Sequence, residues 1–334
     1  MRKEGVYAII FGVLIGLLFA FGIFRINGVM KQKSLTATLN NNGNSTNTVT
    51  DIDYPNPSLT LLKPKNMQVF GVDIIQISGA TKPESYIIAT GGTEDYFTET
   101  GNDGSFNFDY EIAPLLNQLN ISSISTDNSR SSIKYEVVYS SEVVKKASPD
   151  SENMEDKIKE KLDSVQKITE FYKGTITDIT DNNMQMKTSN DEIKQISYEA
   201  NTTTFAKVGK TMTKITASDI AIGDYILALG QKSDNGVLET FRIIVTQPSI
   251  PEEIKVFYGT VSQKSKTDME ISEQGALNVL VEIDNNSKTY KGELFDPIRA
   301  RFADIKEGDT VIGTYSTQKE LNIARKINVL ISDK

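Results

Sequence analysis

Asp219-Ile220-Ala221-Ile222-Gly223-Asp224-Tyr225-Ile226 returns 85 residues later as Asp304-Ile305-Lys306-Glu307-Gly308-Asp309-Thr310-Val311. The same offset joins Phe171-Tyr172-Lys173-Gly174-Thr175-Ile176 to Val256-Phe257-Tyr258-Gly259-Thr260-Val261, while residues 238–242 and 321–325 are 83 apart. Self-similarity at a fixed period marks a duplicated structural unit. The two lost residues fall in 231–236, where Ser233-Asp234-Asn235-Gly236 has turn chemistry, so the second copy carries a shorter hairpin. Each copy holds five or six β-rich runs, the content of a small closed or partly open barrel. We place the copies at residues 171–248 and 256–334.

Within the repeated loop, Gly permits a backbone turn with φ > 0, Asp bonds nearby amides, and the apolar run that follows enters the barrel. Asp219, Asp224, Asp304 and Asp309 are therefore read as turn-formers and not as catalytic groups. Ahead of the first copy, residues 148–170 predict a charged amphipathic helix. Pro149 suits the first helical position, acids come early, and Met154, Ile158, Leu162, Val165 and Ile168 fall on one stripe. Barely two heptads long, the stripe is expected to pack on the neighbouring barrel and not to form a coiled coil.

Residues 59–142 contain seven short β-rich runs separated by turns, the spacing of a sandwich. Alternation is clearest in Ser105-Phe106-Asn107-Phe108-Asp109-Tyr110, where the three rings share a face. Gly79-Ala80-Thr81-Lys82-Pro83, Asp103-Gly104-Ser105-Phe106, Asn120-Ile121 and Val137-Val138-Tyr139 resemble the turn and strand signals of bacterial immunoglobulin-like modules similar to glucodextranase domain B. The resemblance departs at Ala113-Pro114-Leu115-Leu116-Asn117-Gln118. It implies a spacer or adhesive role without enzyme activity. The duplicated segment, with its Gly-Thr-Val/Ile opening and Asp-x-x-x-Gly-Asp loop, resembles an uncharacterised OB-like barrel domain of exported bacterial proteins, which implies no function of its own.

At the N-terminus, residues 6–24 (VYAIIFGVLIGLLFAFGIF) are nineteen residues without a charge, long enough for one membrane span. Arg2 and Lys3 precede the span and Arg25, Lys31 and Lys33 follow it, so charge does not set its direction. Ala20-Phe21-Gly22 also fits a small-x-small cleavage site, which leaves a cleaved signal peptide open. Ala8, Gly12, Gly16 and Ala20 recur every fourth residue, a stripe on which a second helix could pair, although such helices are rich in Gly and Ala generally. Residues 1–33 are read as anchor and flanks, and the Asn/Thr/Ser-rich residues 34–58 as a flexible tether.

The chain has no Cys, His or Trp, which removes disulfides, Cys/His zinc sites and imidazole-based catalysis. Of the net charge of −8, the first 33 residues contribute +4 (five Lys or Arg against Glu4), leaving −12 elsewhere. An acidic surface repels phosphate, and the two copies are near neutral, so nucleic acid is not an expected partner. The acidic turns at Glu94-Asp95 and Asn102-Asp103 are read as turns and not as calcium loops.

The fold class expected is thus mainly β: transmembrane helix, Ig-like sandwich, linker helix and two tandem OB-like barrels. No catalytic, cofactor or metal residue is assigned. The expected protein is non-enzymatic, tethered to a bacterial cell membrane as a single pass with its N-terminus cytoplasmic and its bulk extracytoplasmic. It would have a binding, adhesion or spacer role toward a surface protein or polysaccharide, and could dimerise through the helix. The alternatives are an envelope-associated hydrolase using two carboxylates, or a scaffold subunit of a membrane complex.

Overall fold

A computed structural model of the chain describes residues 59–143, 169–273 and 278–330, all within one compact unit, Ile52–Lys334. The first eight strands build a two-sheet sandwich: β1 (Thr60–Lys63), β2 (Gln68–Phe70), β3 (Ile74–Ala80), β4 (Tyr86–Thr90), β5 (Tyr96–Glu99), β6 (Ser105–Glu111), β7 (Leu115–Ile124) and β8 (Arg130–Tyr139). One sheet has the order β1-β3-β6 and the other β2-β8-β7-β4-β5. Between them lie Ile75, Ile77, Ile87, Phe106, Phe108, Tyr110, Leu119, Ile121 and Val137. Period-2 alternation produces this core: β6 runs exposed-buried throughout, so its three rings all face inward. Where the chain departs from the immunoglobulin-like pattern, Asn117 closes a side-chain turn. Its carboxamide accepts from Ala113 N–H at 2.8 Å and donates to the Ala113 carbonyl at 2.7 Å, which holds Leu115 at φ 72°.

The duplicated segment folds as two rings of the same topology. The first has β9 (Thr169–Thr180), β10 (Asn183–Lys187), β11 (Ile193–Tyr198), β12 (Thr204–Val208), β13 (Met212–Ile215), β14 (Tyr225–Lys232) and β15 (Leu238–Thr246). The second has β16 (Ile254–Lys264), β17 (Asp268–Ser272), β18 (Val279–Glu282), β19 (Lys288–Lys291), β20 (Ile298–Ala300), β21 (Thr310–Gln318) and β22 (Leu321–Leu330). In the first, β9-β10-β11-β15-β14 closes back on β9, with β11 and β15 parallel. In the second, β16-β17-β18-β22-β21 closes back on β16 in the same way. The extra hairpins β12–β13 and β19–β20 also correspond. Each ring has its own core, around Tyr172, Ile176, Ile226 and Ile243 in one, and Phe257, Val261, Val311 and Ile327 in the other.

Sandwich and rings are not beads on a string. Strand β2, which the sequence reading passes over, pairs in parallel with β8 and meets β9 at Gln68↔Glu170, so one sheet of the sandwich continues into the first ring. A second apolar cluster seals that junction, with Phe171, Leu227, Leu229 and Ile244 from the ring against Val69 and Val138. A third joins Ile88, Phe97 and Ile124 of the sandwich to Leu294 and Ile312 of the second ring. At about 25 cal/mol per Å² of apolar surface, seams of this kind are expected to hold separate modules as one body.

Several expectations are corrected here. The predicted helix over 148–170 ends earlier than its periodicity implies: Thr169 and Glu170 are strand, because β9 gains hydrogen-bond partners on β2 and β14 that a helical periodicity cannot foresee. The rest of that helix, residues 148–168, lies outside the described residues, as do the tether and the pairing stripe Ala8, Gly12, Gly16 and Ala20. Among the described residues no helix is long and apolar enough to cross a membrane, and the segment expected to do so lies outside them. The transmembrane and signal-anchor reading, the membrane and helix-mediated homodimer as partners, and the single-pass, cell-surface location are therefore not retained. All of them rested on the apolar length of residues 6–24, which a span requires but which does not by itself make one.

Candidate binding cleft

Strand parity places the site. On β7 the residues Leu116, Gln118, Asn120, Ser122 and Ile124 share the face turned away from the sandwich core, opposite Val138, Glu136, Lys134, Ser132 and Arg130 of β8. The two ends of this face are docking surfaces. Leu116 and Val138 meet the first ring, while Ile124 meets the second. Arg130 also reaches the second ring, where its Nη2 lies 2.9 Å from Glu273 Oε1. Between them the face is polar, and Thr90, Gln118, Asn120, Lys134 and Glu136 line a cleft of 690 Å³. Its walls are β9 with the loop at 188–192 on one side and residues 251–254, the lead into β16, on the other.

Charges in the cleft are largely compensated. Glu136 is ion-paired with Lys173 and accepts from Gln118 Nε2 at 2.8 Å. Glu192 pairs with Lys194 at 2.8 Å, and that hydrogen bond holds its carboxyl below the usual range while raising the lysine. Glu252 is held by Arg325 Nη1 at 3.0 Å. The carboxamides are less well provided for: Asn120 Nδ2 has only a 3.5 Å contact with Ser122 Oγ, and Asn120 Oδ1 has no hydrogen-bond partner. A loop closes over one end of β7 at Gly91, φ 94°, where a Cβ would stand 1.9 Å from the Gln118 carbonyl oxygen.

The second ring is fixed beside the cleft by a buried polar cluster. Asp95 accepts from Thr314 Oγ1 at 2.6 Å and from Arg325 Nε at 3.0 Å, and its backbone carbonyl accepts from Lys326 Nζ at 2.9 Å. Burial pushes Lys326 below the ordinary lysine value, against the opposing pull of Asp95 and Glu94. The acidic turn Glu94-Asp95 thus serves docking, with Glu94 ion-paired to Lys288. Asp103 is engaged by Ser105, whose Oγ donates to it at 2.7 Å.

The aspartates of the repeated loops are equally occupied. Asp224 accepts from Ala221 N–H at 2.9 Å and Asp309 from Lys306 N–H at 2.8 Å. Gly223, φ 96°, donates to the Ile176 carbonyl, and Gly308, φ 91°, to that of Val261, both at 2.9 Å. Asp219 and Asp304 cap the preceding turns by accepting from Thr216 and Arg301 N–H. Among the described residues no group of three or more acidic side chains could hold a metal ion.

Sequence reasoning missed the cleft residues. The signal was present in β7 as a polar stretch, Gln118, Asn120 and Ser122, flanked on the same face by Leu116 and Ile124. No family model matches the chain, and no curated protein matches it. Among solved structures, a chain described as drosophila Unr CSD456 covers 75% of this chain and 98% of its own. Its identity is 9% and its TM-score 0.17, too low for the likeness to bear on fold or function.

Proposed function

We propose that the protein is a non-catalytic binding or structural-spacer protein, in which an immunoglobulin-like sandwich serves as a rigid mount for two copies of an OB-like ring. The observation that carries this reading is that both rings dock through the same face. Phe171 and Leu227 of the first correspond, 85 residues on, to Val256 and Ile312 of the second, and all four lie in the seams with the sandwich. Arg242 and Arg325, matched in the repeat, each pair with an acid from the sandwich side, Glu142 at 3.3 Å and Asp95 at 3.0 Å. A duplication that keeps its docking face in both copies supports a role for the assembled unit rather than for a single ring.

A carboxylate-dependent hydrolase is disfavoured, since Glu136, Glu192 and Glu252 of the cleft are each tied to a cation. The experiment is amide ¹⁵N relaxation on the full chain. One rotational correlation time for sandwich and both rings is the expected result, and a separately tumbling second ring would overturn the mount.

A further inference from the structure

The polar interval between the two docking surfaces sits on a regular strand face. Successive side chains on that face are two residues, about 6.6–6.8 Å, apart, and this is also the repeat of an extended peptide lying along the strand. A ligand with another repeat falls out of step after one unit. Gln118 and Asn120 occupy consecutive places in this row. A carboxamide presents one acceptor and two donors, the complement of a backbone C=O and N–H. Asn120 supplies the unmet demand: its oxygen has no partner and its nitrogen only a 3.5 Å contact, and a half-turn about its last torsion exchanges the two atoms. The neighbouring charges are already compensated, so the cleft offers no surplus for phosphate, sulfate or a cation.

We propose that the cleft takes an extended peptide running along β7, its backbone read by the carboxamides of Gln118 and Asn120. Lys134, beside Asn120 across the β7–β8 ladder, adds a contact to an acidic side chain. Recognition of backbone groups makes the site tolerant of sequence, with preference confined to that position. This inference rests on the proposed mount, because the walls of the cleft are set by the docked ring and by the lead into the other.

The test is a ¹⁵N-resolved titration of the full chain that follows the side-chain NH₂ signals of Gln118 and Asn120. The probes are a capped hexapeptide of alternating serine and glutamate and, separately, a neutral linear hexasaccharide. The peptide is expected to move both signals saturably, with Kd raised at least tenfold by Asn120→Leu and about threefold by Lys134→Ala. Movement by the saccharide alone, or by neither probe, would overturn the peptide assignment. The relaxation data from the same sample distinguish the failures: a single correlation time without a peptide response leaves the mount standing, and separate tumbling removes both.

Discussion

Arg325 Nε lies 3.0 Å from Asp95 Oδ2 although 230 residues separate them, and the Asp95 side chain is only 3% exposed. Burial opposes the charge on Arg325, but its hydrogen bond to Asp95, reinforced by the charges of Asp95 and Glu252, holds the guanidinium above its ordinary value. The pair fastens the second ring where apolar contact alone is thinner than at the first, since Thr314 stands where the first ring has Leu229.

Asp95→Ala leaves that cluster without its acceptor. The expected loss is about 2–3 kcal/mol, below the ~3–5 of a fully enclosed pair because Arg325 keeps a third of its surface in water. Glu94→Ala, whose pair with Lys288 is far more exposed, costs under about 1 kcal/mol. Urea unfolding of the two variants checks the order; equal losses would refute it.

Glu99 faces Glu293 across the second seam, and burial first, then that like charge, raises its carboxyl above the usual value of 4.5. For a raised carboxyl the folded state binds the proton more tightly than the unfolded one, so its contribution favours folding at low pH and is lost as pH rises from 4.5 through the folded value. Glu99→Gln is therefore expected to stabilise the protein modestly at neutral pH, by less than about 1 kcal/mol given its exposure, and to flatten stability over that window. Unfolding curves between pH 4 and 7 test the sign, and a destabilised variant at pH 7 would contradict it.

The shortened hairpin of the second ring turns on Lys319, φ 49°, and Glu320, φ 69°. Two left-handed residues form the tight turn that Asn-Gly adopts with least strain. Lys319→Asn with Glu320→Gly should raise stability by about 1 kcal/mol in total, read as a higher melting temperature.

Gly223→Ala and Gly308→Ala place a methyl where nothing lies within 4 Å, so each costs only backbone strain, about 1 kcal/mol, and similar amounts in the two rings. Gly174→Ala and Gly259→Ala drive a Cβ to 2.3 Å from the carbonyl oxygens of Lys187 and Ser272, and should cost at least twice as much. Calorimetry of the four variants separates conformational from steric need.

The duplication, the Gly-Asp turns and most strands were legible in the sequence because they depend on neighbours. Alternation sets which side of a strand is buried, and a φ > 0 position asks for glycine whatever surrounds it. Where β9 begins, that β2 bridges sandwich and ring, and that both rings dock on one sheet face were decided by the tertiary structure. Those features depend on which hydrogen-bonding edges and apolar faces meet, and residues such as Asp95 and Arg325 acquire their roles only when folding brings them together. The cleft belongs to the same class: Gln118 and Asn120 become its floor because two rings cover the ends of their strand and leave the middle open.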